Sequence, residues 1–524
     1  MNAFYWDLGG LYPALWSYRD AWGRRKTSTP TMHGIEKSDE TILVMSTANN
    51  GQPAEQDERR VSPKGKTQSS TTHYAQKWVC VSHGMERLRQ QVERNPTEKL
   101  TTLLHHINEA SLKAAYFAIK RDAAPGLDGM MWAEYGEDLD RNIADLCTRV
   151  HRGTYRAAPS RRVDIPKPDG SKRRLGIATL EDKIVQCAMV KCILEPIYEH
   201  EFEDFSYGFR AKRGAHDALD AIAHAIERKK INYVVDADIR KFFDMVDQQW
   251  LMRFLEHRIA DKRVLRIIKK WLQAGVIQDG IWQASEVGTP QGAVISPILA
   301  NIYLHYVLDL WYKHQCNTRR IGGESVIVRY ADDFVVGFQY KREADRFLQD
   351  LRTRLKKFGL CLHPDKTRLI EFGRFAEENR RKRGEGRPVT FDFLGFTHFC
   401  GKTRHGRFRL SRKPIAKRMD KFLNRIRAEL TRRMHRCVHE TGKWLGQVLN
   451  GWLNYYAVPT SYRYMRRCYM RLKWIWLRIL QRRSQKDRTT WDHLDALVTR
   501  YWPKLKIRHP WPDERHAVKY VGTT

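Results

Sequence analysis

The stretch Val326 to Phe338, VIVRYADDFVVGF, limits what this chain can fold into more than any other. Its flanks are β-branched and aromatic, the composition of buried strands. The Ala331-Asp332-Asp333 between them has the composition of a tight turn. The stretch therefore predicts a β-hairpin with two carboxylates at its tip. Adjacent carboxylates repel unless a cation or a proton lies between them. A surface turn would need the aspartates only for turn chemistry. A metal site would need them as ligands, and would need a third carboxylate.

A second apolar strand offers that carboxylate. In INYVVDADIRKFFDMVD (Ile231 to Asp247) a strand runs into Asp236 and Asp238 and then into a helix start. Either aspartate suits the third position by pattern alone. Two divalent cations held about 3.5–4 Å apart by such a set would activate an attacking oxygen and neutralise a departing one. Mg²⁺ takes few protein carboxylates and completes its shell with water and phosphate, so three Asp is a sensible number.

Charge names the class of partner. The 524 residues carry 94 Lys/Arg against 60 Asp/Glu, a net charge of +34. Such an excess points to a polyanion, with nucleic acid first. It is concentrated from Gly401 to Thr524, where 31 Lys/Arg face 8 Asp/Glu. There Tyr462, Tyr464, Tyr469, Trp474 and Trp476 interleave with Arg463, Arg466, Arg467, Lys473 and Arg478. Cations for phosphates alternating with rings for stacking is a nucleic-acid pattern, although some of those rings must belong to the helical core. No apolar run is long enough to span a bilayer, and the N-terminus lacks a signal-peptide pattern, so no membrane partner is expected. The nine Cys include no CxxC pair, which argues against a zinc ribbon or finger. Residues from about Thr27 to Gln76 are polar and predicted to be disordered or ordered only on a partner.

Tyr330-Ala331-Asp332-Asp333 has the form of the reverse-transcriptase palm motif, and DIRKFFD (Asp238 to Asp244) resembles the first palm motif of that family. GTPQGAVISPILANIYL (Gly288 to Leu304) lies between them. Further blocks follow in the family's order: AAPGLDG; VDIPKPDGSKRRLGIATLEDKIVQ; FSYGFRAKRGAHDAL; LHPDKTRLIEFG; FDFLGF; and LNGWLNYYAVP. From Met85 onward the chain resembles bacterial group II intron-encoded reverse transcriptases, the maturases.

The resemblance implies roles residue by residue. Asp238, Asp332 and Asp333 match the catalytic carboxylates that bind two Mg²⁺ ions. Phe243 matches the ring that excludes a 2′-hydroxyl from the incoming nucleotide. Lys167 and Arg173 match groups that grip the triphosphate, with Arg174 standing where Pro is common. Gln291 matches a contact to the incoming deoxynucleoside triphosphate. Lys366 fits a proposed general acid for the leaving pyrophosphate. FDFLGF resembles the primer grip. LNGWLNYYAVP resembles the thumb signature, with Trp452 and Tyr456 expected in its core. The basic faces around it, with Arg463, Arg466, Arg467 and Lys473, are the expected RNA contacts.

The expected fold is α+β, a right-hand polymerase with fingers, a palm built on an antiparallel sheet, a helical thumb and a helical basic C-terminal region. The expected divisions are a polar N-terminal extension (1–84), fingers (85–226), palm (227–400), thumb (401–480) and a basic C-terminal segment (481–524). The implied function is RNA-directed DNA polymerase and maturase, acting on intron RNA, a DNA target and primer, and deoxynucleoside triphosphates, in a bacterial cytoplasm or nucleoid. Many relatives of this kind carry a CxxC-bearing HNH endonuclease. With no such pair, intrinsic DNA nicking is not expected, and priming from available DNA 3′ ends is. The alternatives are a defence- or CRISPR-associated reverse transcriptase, and an RNA-binding splicing factor with an inactive polymerase. The intact Asp238, Asp332 and Asp333 weigh against the latter.

Overall fold

A computed structural model describes residues 84–166, 172–278, 281–283, 288–289, 292–483 and 489–515. The predicted polar extension, including the stretch from Thr27 to Gln76, lies outside them. The fold is the α+β right-hand arrangement that the resemblance implies. The predicted hairpin is present, as strands Ser325–Tyr330 and Asp333–Phe338. They form a four-stranded antiparallel sheet with Tyr233–Asp238 and Arg368–Glu371, in the order Ser325–Tyr330, Asp333–Phe338, Tyr233–Asp238, Arg368–Glu371.

Both faces of this palm sheet are covered, which explains its nearly unbroken apolar strands. Successive residues of a strand point to opposite faces. Accordingly Val235, Ala237, Val336 and Phe338 join the large core shared with the fingers helices. Val234, Val328, Val335 and Ile370 join a second core on the other face, with Leu219, Ile222 and Ile226 of helix Ala215–Arg228. Fully burying each such Val, Leu, Ile or Phe side chain contributes about 1.5–3 kcal/mol. The large core runs from Met85 to Leu360, so fingers and palm share one apolar interior.

The fingers carry a mixed sheet. Strands Ser160–Pro166 and Lys172–Ile177 pair antiparallel, and Val276–Gln278 adds parallel to the first and antiparallel to Ile281–Gln283. A long helical run, Ser296–Leu304, His305–Asp309 and Leu310–Asn317, backs the hairpin. Its middle segment is a π-turn.

A third sheet (Phe391–Phe393, Phe396–Lys402, Phe408–Pro414) leads into the thumb. Helices Ala416–Arg432, Val438–Tyr456 and Tyr462–Gln481 bury Leu423, Ile426, Leu449, Leu453, Leu472 and Trp476 in a core of their own. Trp452 and Tyr456 pack in it as expected, Trp452 stacked on Phe422 with ring centres 5.5 Å apart. This core continues through helix Trp491–Tyr501 to Trp502, past the expected thumb limit at 480. The described residues after it, 503–515, form a strap. Arg508 and His509 donate their backbone N–H groups to the Ala457 carbonyl, at 3.0 and 3.2 Å. Asp513 pairs with Arg228 at 2.8 Å and Arg515 with Asp220 at 3.2 Å, which ties the thumb to helix Ala215–Arg228. Among the described residues no helix is long and apolar enough to cross a membrane.

Candidate active site

Sheet register brings the predicted carboxylates together. Tyr330 pairs with Asp333 across the hairpin, leaving Ala331 and Asp332 as a two-residue turn. Asp238, the last residue of its strand, pairs with Asp333. Asp236 stands two residues back, opposite Val335 and Arg368, and its carboxylate accepts from Arg368 at 2.9 Å. Pattern alone leaves Asp236 and Asp238 equivalent; the register puts Asp238 beside the turn and commits Asp236 to an ion pair. The turn itself is strained. Ala331 has φ +57°, a left-handed conformation that costs an L-residue about 1–2 kcal/mol. Gly208 of FSYGF lies flush against it. A Cβ at position 208 would come within 2.3 Å of the Ala331 nitrogen.

The carboxylates at this turn repel one another. Burial, then the neighbouring Asp332 and Asp238 carboxylates, push the Asp333 carboxyl well above the usual carboxylate range. A bound divalent cation removes that repulsion. Asp238 is instead neutralised by Lys366, whose Nζ donates to Oδ2 at 2.8 Å. Among the described residues no three carboxylate, imidazole or thiolate groups are drawn into a ready cage.

Around this centre the other predicted residues fall into place unevenly. Phe243 lies two residues after Lys241, itself left-handed at φ +46°, and sits half-buried with its ring edge-on to Phe242 at 5.3 Å. Its carbonyl accepts from Thr289 N at 2.8 Å, so the start of GTPQG docks on it. Gly292 approaches the fingers strand so closely that a Cβ would meet the Gly176 carbonyl at 2.8 Å. The backbone thus brings the strand that carries Arg173 alongside the GTPQG segment. Lys167 and Gln291 lie outside the described residues, and so does the Arg173 side chain. Lys366 is not a free surface lysine, since it is held on Asp238.

FDFLGF forms a two-residue turn at Leu394-Gly395 (φ +46° and +86°) between strands Phe391–Phe393 and Phe396–Lys402. Tyr455 of LNGWLNYYAVP donates its hydroxyl to the Leu394 carbonyl at 2.6 Å, clamping this turn to the thumb.

On helix Tyr462–Gln481, Arg463, Arg466 and Arg467 are exposed while Met465, Cys468 and Leu472 face inward. Exposed Trp474 lies under Arg478, 5.1 Å from the guanidinium carbon to the ring centre. Two residues of the predicted interface lie elsewhere. Trp476 is fully buried, and Lys473 is only 9% exposed, paired with Asp495 and 5.8 Å from the Trp491 ring centre.

Pattern reading overlooks the buried Arg329, which touches Asp309, Asn301 and the Ala331 carbonyl. Its only signal in the sequence is a charge inside an otherwise apolar strand.

Residues 165–398 match the reverse transcriptase (RNA-dependent DNA polymerase) family. The chain is 31% identical to Protein YkfC of Escherichia coli over 355 residues, covering 60% of this chain and 92% of that one. It is 34% identical over 235 residues to the group II intron-encoded protein LtrA of Lactococcus lactis, 44% of this chain and 39% of that protein. It is also similar to the mitochondrial nuclear intron maturase 3 of Arabidopsis thaliana, at 26% identity over 211 residues, 35% of this chain and 29% of that one. The matched stretch contains Asp238, Phe243, Asp332 and Asp333, the centre that the sheet register assembles. The chain belongs to the reverse transcriptase family of RNA-directed DNA polymerases.

Proposed function

We propose that this protein binds a group II intron RNA, assists its splicing, and copies it into cDNA from a DNA primer 3′ end, using two Mg²⁺ ions held by Asp238, Asp332 and Asp333. The observation that carries this reading is the register that sets Asp238 opposite Asp333 at a strained two-residue turn. When bound, Mg²⁺ would lower the pKa of the attacking 3′-hydroxyl and neutralise charge on the leaving pyrophosphate. The chain's own residues do the rest. Asp238, Asp332 and Asp333 present carboxylates from two adjoining strand ends. Lys366 exchanges its pairing with Asp238 for the departing phosphate and can supply it a proton. The half-buried Phe243 ring fills the space a 2′-hydroxyl would take, which favours deoxynucleotides. The Leu394-Gly395 turn, clamped by Tyr455, seats the primer end. Catalysis then rests on positioning and on charge neutralisation.

Intron RNA would lie against the thumb, where Arg463, Arg466 and Arg467 are exposed on one helix and can reach phosphates. The test pairs two assays on one variant. Asp332→Asn should abolish DNA synthesis on an RNA template while intron binding and splicing assistance persist. Extension at the wild-type rate by that variant removes the metal assignment. Loss of RNA binding along with extension would mean that the two functions are not separable as described.

A further inference from the structure

We propose that Arg329 is a positioning residue for the reaction: its guanidinium ties the strained turn of the catalytic hairpin to the helical run behind it, and so sets where Asp332 and Asp333 stand. The proposal rests on the reading of those two aspartates as metal ligands.

Arg329 immediately precedes Tyr330 and is fully buried. Its Nε donates to Asp309 Oδ1 at 2.8 Å, and its Nη2 donates to Asp309 Oδ2. Its Nη1 donates to Asn301 Oδ1 at 3.0 Å and to the Ala331 carbonyl at 3.1 Å. Asn301 in turn donates through Nδ2 to the Gly208 carbonyl at 2.7 Å. Gly208 is the residue pressed against the Ala331 backbone from outside. One planar group therefore joins the turn to two points of the helical run and, through Asn301, to the loop that packs on the turn.

Three features separate this from an ordinary buried ion pair. First, a paired charge in the interior adds little stability over apolar residues of the same size, so its presence calls for a role in specifying geometry. Second, Ala331 holds a left-handed conformation without being glycine, and such a backbone persists only where its surroundings over-determine it. The Arg329–Ala331 hydrogen bond and the Gly208 contact are those surroundings. Third, Asp309 stands at the end of the π-turn His305–Asp309. A π-turn inserts a residue into a helix and re-aims the side chains beyond it, and such turns cluster at functional sites. Only a guanidinium reaches these acceptors in one plane; the point charge of a lysine cannot.

Full-length protein tests this with Mn²⁺ binding, read by electron paramagnetic resonance, alongside thermal melting and single-nucleotide extension against Mg²⁺ concentration. Three changes are compared: Arg329→Lys; the double change Arg329→Met with Asp309→Leu, which leaves no unpaired charge; and Asn301→Ala, which keeps the ion pair but cuts the tie to Gly208. Each should weaken Mn²⁺ binding, about ten-fold for the first two, as loss of groups supporting metal ligands does. Each should shift the Mg²⁺ requirement for extension upward, with partial rescue at high Mg²⁺ and unchanged RNA binding. A double variant that melts, binds Mn²⁺ and titrates with Mg²⁺ like wild type overturns the proposal, because the network then serves packing alone. Unfolding of all three variants overturns it in the same direction. If Asp332→Asn itself leaves Mn²⁺ binding intact, the metal-ligand reading has failed instead.

Discussion

Reversing Arg463, Arg466 and Arg467 together to Glu should change how intron binding responds to salt. The three guanidinium groups share the exposed side of helix Tyr462–Gln481, so the fold should tolerate the change. Each phosphate they neutralise releases condensed counterions, with a slope in log affinity against log salt of about 0.7–0.9 per contact. Three lost contacts flatten the slope by about 2–3 units. Over a fourfold rise in salt that is about a thirty-fold difference in salt sensitivity between variant and wild type. The assay is filter binding of intron RNA across a KCl series, with circular dichroism melts to show that the thumb core is intact. Splicing assistance should fail, while extension of a generic primer on concentrated template survives in part, because Asp238, Asp332 and Asp333 lie in the palm sheet. An unchanged affinity and slope would make this face a solvated surface and refute the placement of the RNA.

Phe243→Val should raise ribonucleotide incorporation relative to deoxyribonucleotide by about 10–100-fold, the range for emptying one apolar contact in a substrate pocket; an unchanged ratio would make Phe243 a core residue only. Gly208→Ala should cut extension by at least about tenfold, because a Cβ there falls 2.3 Å from Ala331 N and 2.9 Å from Tyr330 C, so the hairpin must move; wild-type Mg²⁺-dependent extension would show that the turn yields without consequence. His398 is buried and stacked on Phe391 at 4.7 Å, and burial, helped by Arg412, pushes its pKa down to about 3. The unfolded ring, near 6.5, then binds the extra proton first. Stability from this residue is present above pH 6.5 and is lost as pH falls, by about 2 kcal/mol between pH 6.5 and 5. His398→Phe should flatten acid denaturation over that window, and an unaltered pH–melting profile would count against the buried neutral ring.

Much of the palm is legible in the sequence because its signals are local. Burial on both faces makes VIVRYADDFVVGF and INYVVDAD nearly unbroken apolar runs that read as strands, and a tight turn at Ala331-Asp332-Asp333 follows from composition, although Asp333 already belongs to the second strand. The choice between Asp236 and Asp238 is not local. Residues two apart share one face of a strand; the resemblance of DIRKFFD to a palm motif singles out Asp238, and pairing with Asp333 and Arg368 supplies the physical difference. The Arg329 network escapes pattern reading for a similar reason: Asn301, Asp309 and Arg329 come from two separate elements and meet only through tertiary packing. Lys473 shows the limit of reading charge as surface. Its place between Leu472 and Trp476 turns it toward the core edge, where Asp495 of the next helix takes its ammonium. The strap after Trp502 reads as basic tail because charge dominates its composition, while its contacts to Ala457, Asp220 and Arg228 lie far away in sequence.

Single-turnover primer extension on an RNA template, comparing Asp238→Asn with Asp236→Asn, bears most directly on the catalytic centre. Asp238 ends its strand beside the Asp332-Asp333 turn, whereas Asp236 is held by Arg368. The expected result is that Asp238→Asn falls to background while Asp236→Asn extends at a rate within about tenfold of wild type, since it loses only a partly exposed ion pair. Robust Mg²⁺-dependent extension by Asp238→Asn, or equal loss in both variants, would contradict the assignment of Asp238, Asp332 and Asp333 as the carboxylates that run the reaction.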